Sequence, residues 1–335
     1  MRSFAVFCGL LALTPTPAWA QLSLVDDPVV GRVQFIYRGG SLVDNAGVEN
    51  GVNCLEDSGT TAVSEADLPS RPTLVRAILT VSGSLFGDDG PDFVSPDQSL
   101  LVTPDLNADD PTDRPFVEAA ARADADRNVL FSFPGATAPV EVSATSSTVV
   151  AYNRPDAAET PGNVAFFTTR FDVTDLLRDQ PTLAGTYPVR EPTADVCFGQ
   201  EASCSAGETC GAISQVHSNA LASFSLLLVV ESVSLPLRTV AAFEGLNLLA
   251  TSTTDTLILD TPNPFSDPAA GRLAFYALEG DLPIAEFAGT TPPCSSLEYI
   301  EVDGDMDPNN DGLCLSDDDN PVGNLFNSTI NVLPE

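Results

Sequence analysis

Leu226-Leu227-Leu228-Val229-Val230, inside Ala222 to Val233, is the stretch that decides the fold. It is a short, unbroken apolar run, flanked by Ser223 and Ser225 on one side and Glu231 on the other. A run this short between turn-forming residues reads as a strand covered on both faces, the most buried in the chain. Pro236 breaks the pattern and Thr239 to Phe243 resumes it.

The same signal recurs outward in both directions. Leu74 to Val81 alternates, with Val75, Ala77, Leu79 and Val81 facing one way and Arg76 and Thr80 the other. Val33 to Tyr37 alternates and runs into a turn at Arg38-Gly39-Gly40. Val129 to Phe133, Thr148 to Tyr152 and Val164 to Phe171 read as strands, as do Thr256 to Leu259, Leu273 to Leu278 and Leu297 to Val302. Phe116 to Asp124 is Ala-rich and predicts a short helix, and Asp172 stands where it would cap a single turn, Val173 to Arg178. Residues 41–72 and 86–114 read as polar, turn-rich segments. The expected fold is therefore all-β: a large, jelly-roll-like β-sandwich with long loops and little helix. One domain over residues 21–335 is expected, or two sub-domains dividing near residues 190–212.

Residues 1–20 read as a secretory signal peptide. Arg2 supplies the positive start, Phe4 to Leu13 the apolar core, and Ala18-Trp19-Ala20 the cleavage site ahead of Gln21. A membrane anchor needs about 20 apolar residues, and Pro15 and Pro17 interrupt this one. The expected protein is exported and does not span a membrane. It has 14 Arg, no Lys and 47 Asp and Glu, for a net charge of −33. That balance argues against nucleic acid, which demands basic side chains to neutralise phosphate. It suits cations, basic partners and saline surroundings, and genome composition alone can also produce it.

Cys8 leaves with the leader, so Cys54, Cys197, Cys204, Cys210, Cys294 and Cys314 remain. An even count in an exported chain predicts disulfides. Proximity favours Cys294 with Cys314. Two of Cys197, Cys204 and Cys210 would close a local loop, leaving the third for Cys54.

One motif carries specific chemistry. Asp307-Pro308-Asn309-Asn310-Asp311-Gly312 fits the D-x-[DN]-x-[DN]-G pattern of calcium loops. Oxygens of Asp307, Asn309 and Asp311 would converge on one side of a tight turn that Gly312 permits. The Leu313 carbonyl falls at position seven and Asp318 at position twelve. Calcium is the expected ion, with a solvated acidic turn as the alternative. The strand-like segment ahead of the loop rules out a paired EF-hand.

Catalytic signatures are sparse. The single His, His217, lies in a Cys-rich loop, and no G-x-S-x-G, HExxH or P-loop pattern occurs. Glu279 and Asp281 are the most suggestive carboxylate pair, and a strand end entering a turn explains them better. No catalytic residue is assigned.

Several stretches resemble a diffuse group of uncharacterised secreted bacterial surface proteins, adhesin-like and built on β-sandwiches. They are Phe224 to Val230, Ser234-Leu235-Pro236-Leu237-Arg238, Phe243-Glu244-Gly245, Gly271-Arg272-Leu273 to Asp281, and Asn320-Pro321 to Ser328. Arg76 to Gly83 and Phe171-Asp172-Val173-Thr174 match more weakly. The strand at Leu79 to Ser82 departs from the group in lacking aromatic residues, and similar proteins continue past the position of Asn327 with further strands or anchors. The resemblance implies a β-sandwich exposed at or beyond the cell surface, and no catalytic residue. The leading expectation is an exported, non-enzymatic structural or adhesive component, stabilised by disulfides and calcium, with a surface glycan or protein as partner. The alternative is a secreted carbohydrate-active enzyme or carbohydrate-binding module.

Overall fold

The computed structural model describes residues 23–44, 54–55, 58–86, 108–125, 127–154, 162–192, 194, 222–246, 274, 300–302 and 313–315. The described part is all-β, with antiparallel sheets and two short helices. The larger sheet has five strands in the order β10 (Ser146–Arg154), β11 (Gly162–Asp172), β7 (Thr73–Phe86), β13 (Ala222–Glu231) and β3 (Val33–Ser41). The second has four, β6 (Ser58–Val63), β12 (Gly185–Arg190), β8 (Asn128–Phe131) and β9 (Val140–Ser143). Four two-stranded ribbons complete it: β1 (Ser23–Leu24) with β15 (Phe243–Glu244), β2 (Val29–Gly31) with β14 (Arg238–Val240), β4 (Val43–Asp44) with β5 (Cys54–Leu55), and β16 (Ile300–Val302) with β17 (Leu313–Leu315). No described helix is long and apolar enough to cross a membrane.

The apolar run that opened the sequence lies in β13, between β7 and β3. Its Phe224, Leu226, Leu228 and Val230 enter the main core with Leu79 and Val81 of β7 and Ile36 of β3. Val129, Phe131, Val142, Tyr187 and Val189 of the four-stranded sheet join the same core, so both sheets bury their apolar faces together. On the opposite face, Val229 packs with Val33 and Val240, and Leu227 lies against them. Both faces of β13 are thus covered, which is why its sequence does not alternate.

β7 departs from the expected alternation. Val229 stands opposite Arg76 but Val230 opposite Leu74, which leaves Val75 as the extra residue of a β-bulge. Leu74 and Ala77 therefore share the main core, while Val75 turns to the cluster on the other face. A one-residue insertion reverses the face of all that precedes it.

β3 continues through Gly39-Gly40 to Ser41 instead of turning there. Gly40 pairs with Phe224, and Gly39 with Ser225. β6 lies in a segment that reads as turn-rich. It alternates all the same, with Gly59, Thr61 and Val63 buried and Ser58, Thr60 and Ala62 exposed. Gly59 is required there: a Cβ would sit 2.5 Å from Phe224 Cε1 and 2.7 Å from Leu42 Cδ2.

The helices match expectation closely. α1 spans Arg114–Asp124 and buries Val117 and Ala121 against Val149, Ala151, Ala165 and Phe167, a core separate from the main one. α2 spans Thr174–Arg178, one residue later than expected, so Val173 and not Asp172 holds the N-cap position; Asp172 Oδ1 accepts the Thr174 N–H at 2.9 Å from the residue before it. Of the other expected strands, Ile300–Val302 is present within Leu297 to Val302. Thr256 to Leu259 lies outside the described residues, as does Leu273 to Leu278 apart from Ala274.

Candidate functional site

Pairing of β16 with β17 brings the two ends of residues 303–312 together, with Val302 opposite Leu313 and Glu301 opposite Cys314. The calcium-type motif occupies that connection. Leu313 begins β17, while Asp307, Asn309, Asp311 and Asp318 lie outside the described residues. Cys54 stands in β5, opposite Asp44, and Cys314 in β17. Cys197, Cys204, Cys210 and Cys294 lie outside the described residues, with His217, Glu279, Asp281 and the signal segment 1–20. Among the described residues, no group of three or more His, Cys, Asp or Glu could hold a metal ion.

Several of the described polar side chains join one element to another. Thr174, buried at the start of α2, accepts the Ala77 N–H through Oγ1 at 2.9 Å and donates to the Ala77 carbonyl at 3.2 Å. The Val173 N–H also donates to that carbonyl, at 3.1 Å. The β7–β11 ladder ends at Ile78 opposite Asp172, so Val173 and Thr174 satisfy the next residue of β7 after β11 has turned away. The tetrapeptide Phe171 to Thr174 is thereby explained: a core ring, a carboxylate accepting the Thr174 N–H, a backbone donor and a hydroxyl that substitutes for a strand.

Tyr187 in β12 supplies a second join. Its buried hydroxyl donates to the carbonyl of Leu183, four residues upstream, and its ring stacks on Phe131 at 6.1 Å. A tyrosine bonded back to the chain just before its own strand is a recurring corner device of β-sandwiches. Burial pushes the phenol pKa well up, so it remains a donor.

A third join ties the edge strand β3 to the 3-10 turn Glu65–Asp67 that follows β6. Arg38 Nη2 meets Asp67 Oδ1 at 2.6 Å, and the Ser64 N–H and hydroxyl both donate to Oδ2 at 2.8 Å. Gln34 Nε2 donates to the Asp67 carbonyl at 2.9 Å. Burial alone would raise the Asp67 pKa, but the two Ser64 bonds and the Arg38 guanidinium outweigh it and hold the carboxyl below its ordinary 3.8. Across the larger sheet, Glu244 of β15 meets Arg170 Nη1 at 3.3 Å and accepts from the Ser146 hydroxyl at 3.2 Å.

The sequence names Arg38 in a turn and Thr174 and Glu244 in stretches of resemblance, and it assigns none of the joining residues its partner. Ser64-x-x-Asp67 is the one with a local signature, the S-x-x-D spacing of a capped turn. No protein-family model matches the chain, nor does any curated protein or solved structure, so its function is read from these residues alone.

Proposed function

We propose that the chain is an exported, non-enzymatic structural or adhesive component of a cell surface, built as a β-sandwich. The observation that carries this reading is the use of its polar side chains. Thr174, Arg38, Asp67, Arg170 and Glu244 each bind one element of the scaffold to another, and the Tyr187 hydroxyl fixes the chain entering its own strand. Together with a core filled from two sheets, they describe a rigid body suited to presenting loops. The leader supports export, and the cysteines support disulfide staples. The acidic segment between β16 and β17, with Asp318 just after β17, is the proposed calcium site, through Asp307, Asn309, Asp311, Asp318 and the Leu313 carbonyl. Carboxylate and carbonyl oxygens are the hard donors that calcium prefers.

Protease shaving of intact cells producing the tagged chain tests the surface assignment. Binding of the purified chain to surface glycans and proteins tests adhesion. Surface exposure with retention on one of these ligands is the expected result. Protection from protease on intact cells overturns the surface assignment, and turnover of a glycan overturns the non-enzymatic reading in favour of a carbohydrate-active enzyme.

A further inference from the structure

The large apolar side chains exposed among the described residues are Leu24, Val30, Phe116, Val233 and Leu237, and all but Leu24 belong to the two ends of the long strand β7. Three of them gather beyond its first residue. β13 finishes there, with Glu231 opposite Thr73, and leads into the turn that carries Val233. The ribbon of β2 and β14 adjoins it. Val29 and Val240 pair and pack inward on Val33 and Val229, so Val30 and Leu237 point the other way. Val30 is 61% exposed, Leu237 75% and Val233 85%. Exposed apolar residues scattered singly mean little, but a cluster marks a contact surface.

This tip is ordered before anything binds it. The Leu235 N–H donates to the Ser232 carbonyl at 3.1 Å, Arg32 Nη1 donates to the Leu235 carbonyl at 2.7 Å, and the Ser232 hydroxyl donates to the Ser70 carbonyl at 2.6 Å. A loop held in this way loses little freedom on binding. It is also cationic for this chain, since Arg32, Arg71 and Arg238 stand here out of 14 Arg in all. Of the nearby acids, Glu231 ends β13 and Asp26 is met by Arg76 at 3.9 Å. The far end of β7 has the opposite character. Leu85 packs against α1 there, roughly 35 Å from Leu74 along the strand. Phe116, in the first turn of α1, is 64% exposed. Asp109, Asp110 and Asp113 precede it, with Arg114 as the one opposing charge in that stretch. The Thr112 N–H and hydroxyl both donate to Asp110 Oδ1 at 2.8 Å, which holds that carboxyl below its ordinary 3.8.

We propose that these two ends are complementary docking surfaces, by which one copy of this chain takes a second copy head to tail. Val30, Val233 and Leu237 of one protomer receive Phe116 of the next, with Arg32 and Arg71 facing the carboxylates that surround that ring. A second copy is the occupant because it carries what the tip is suited to meet: an exposed aromatic ring set among ionised carboxylates. The contact is heterologous and leaves the outer end of each copy open, so it repeats until the array closes into a ring or runs on as a filament. A net charge of −33 sets the copies against one another at a distance. In about 0.15 M salt that repulsion is screened beyond roughly 8 Å, while opposite charges brought into contact still attract. The inference goes beyond the surface assignment and does not depend on it.

The test is sedimentation of the purified full chain in about 0.15 M salt, at concentrations rising to millimolar. The wild type is expected to grow in mass with concentration. Leu237→Asp spoils the tip and Phe116→Asp spoils the far end, so each variant alone is expected to stay monomeric. Mixed in equal amounts they retain one good surface of each kind, and the mixture is expected to give dimers and nothing larger. Arg71→Glu is expected to weaken the wild-type association about tenfold, through like charge placed against the Asp110 side. Both apolar positions are exposed, and should either Asp variant melt below the wild type, Leu237→Ser and Phe116→Ser are read in its place. The proposal is overturned if the wild type stays monomeric to millimolar concentration, if Phe116→Asp associates as the wild type does, or if the mixture remains monomeric. An Arg71→Glu variant that matches the wild type overturns the charge complementarity on which the choice of a second copy rests. Retention of the monomeric wild type on phosphatidylcholine vesicles, lost in Leu237→Asp, overturns it in favour of a lipid surface as the occupant.

Discussion

Thr174 shows how one hydroxyl extends a β ladder beyond the end of a strand. It is both acceptor and donor to Ala77, in a place where neither group meets water. Replacing it with Val keeps the shape and strands the Ala77 N–H, at a cost of about 1–3 kcal/mol. Urea melts of Thr174→Val should show that loss, and Thr174→Ser should recover most of it. Asp67 makes a prediction in pH. Its folded pKa lies below 3.8, so ionised Asp67 contributes stability above its unfolded pKa, and that contribution disappears as pH falls through the folded value. Asp67→Asn should therefore melt below the wild type at neutral pH, and the two melting curves should converge well below pH 3.8. A difference that persists at low pH would mean that the carboxylate charge is not what holds Arg38 and Ser64. The sequence shows why Asp67 sits near Ser64, since the two are three residues apart. It cannot show Arg38, which arrives from another strand.

At the scale of elements, β13 was the most legible and for a simple reason. A strand buried on both faces needs apolar residues at consecutive positions, and that requirement is local. Its amides at Leu226 to Val230 should be among the slowest in hydrogen exchange, because their opening requires breaking pairs with both β7 and β3. Fast exchange there would contradict the central placement. β6 was illegible because its buried positions include Gly59 and Thr61, whose small side chains carry little hydrophobic signal. Gly59 is small because Phe224 and Leu42 already fill the space. The β16–β17 ribbon sets up the calcium prediction. Binding with a dissociation constant on the order of 10⁻⁴–10⁻³ M should raise the melting temperature at millimolar calcium, and Asp311→Ala should abolish the rise. No binding heat and no shift for the wild type would make the segment a solvated acidic turn.

At the scale of the molecule, the even set of cysteines predicts a chain without free thiols once exported. Thiol titration under denaturing, non-reducing conditions should find none, and peptide mapping should recover Cys294 joined to Cys314. Two or more titratable thiols would remove the proposed disulfide framework. The all-β class, the two short helices and the central strand followed from the sequence by itself, because periodicity, caps and turn residues act over a few positions. The order of the strands, the Val75 bulge, the continuation of β3 through its glycines and the joins at Thr174, Tyr187 and Asp67 were decided only by the tertiary structure. Each involves a partner far away in the chain, such as Leu74 facing Val230, Thr174 facing Ala77 or the Tyr187 ring on Phe131, and distance along the sequence carries no record of who that partner will be.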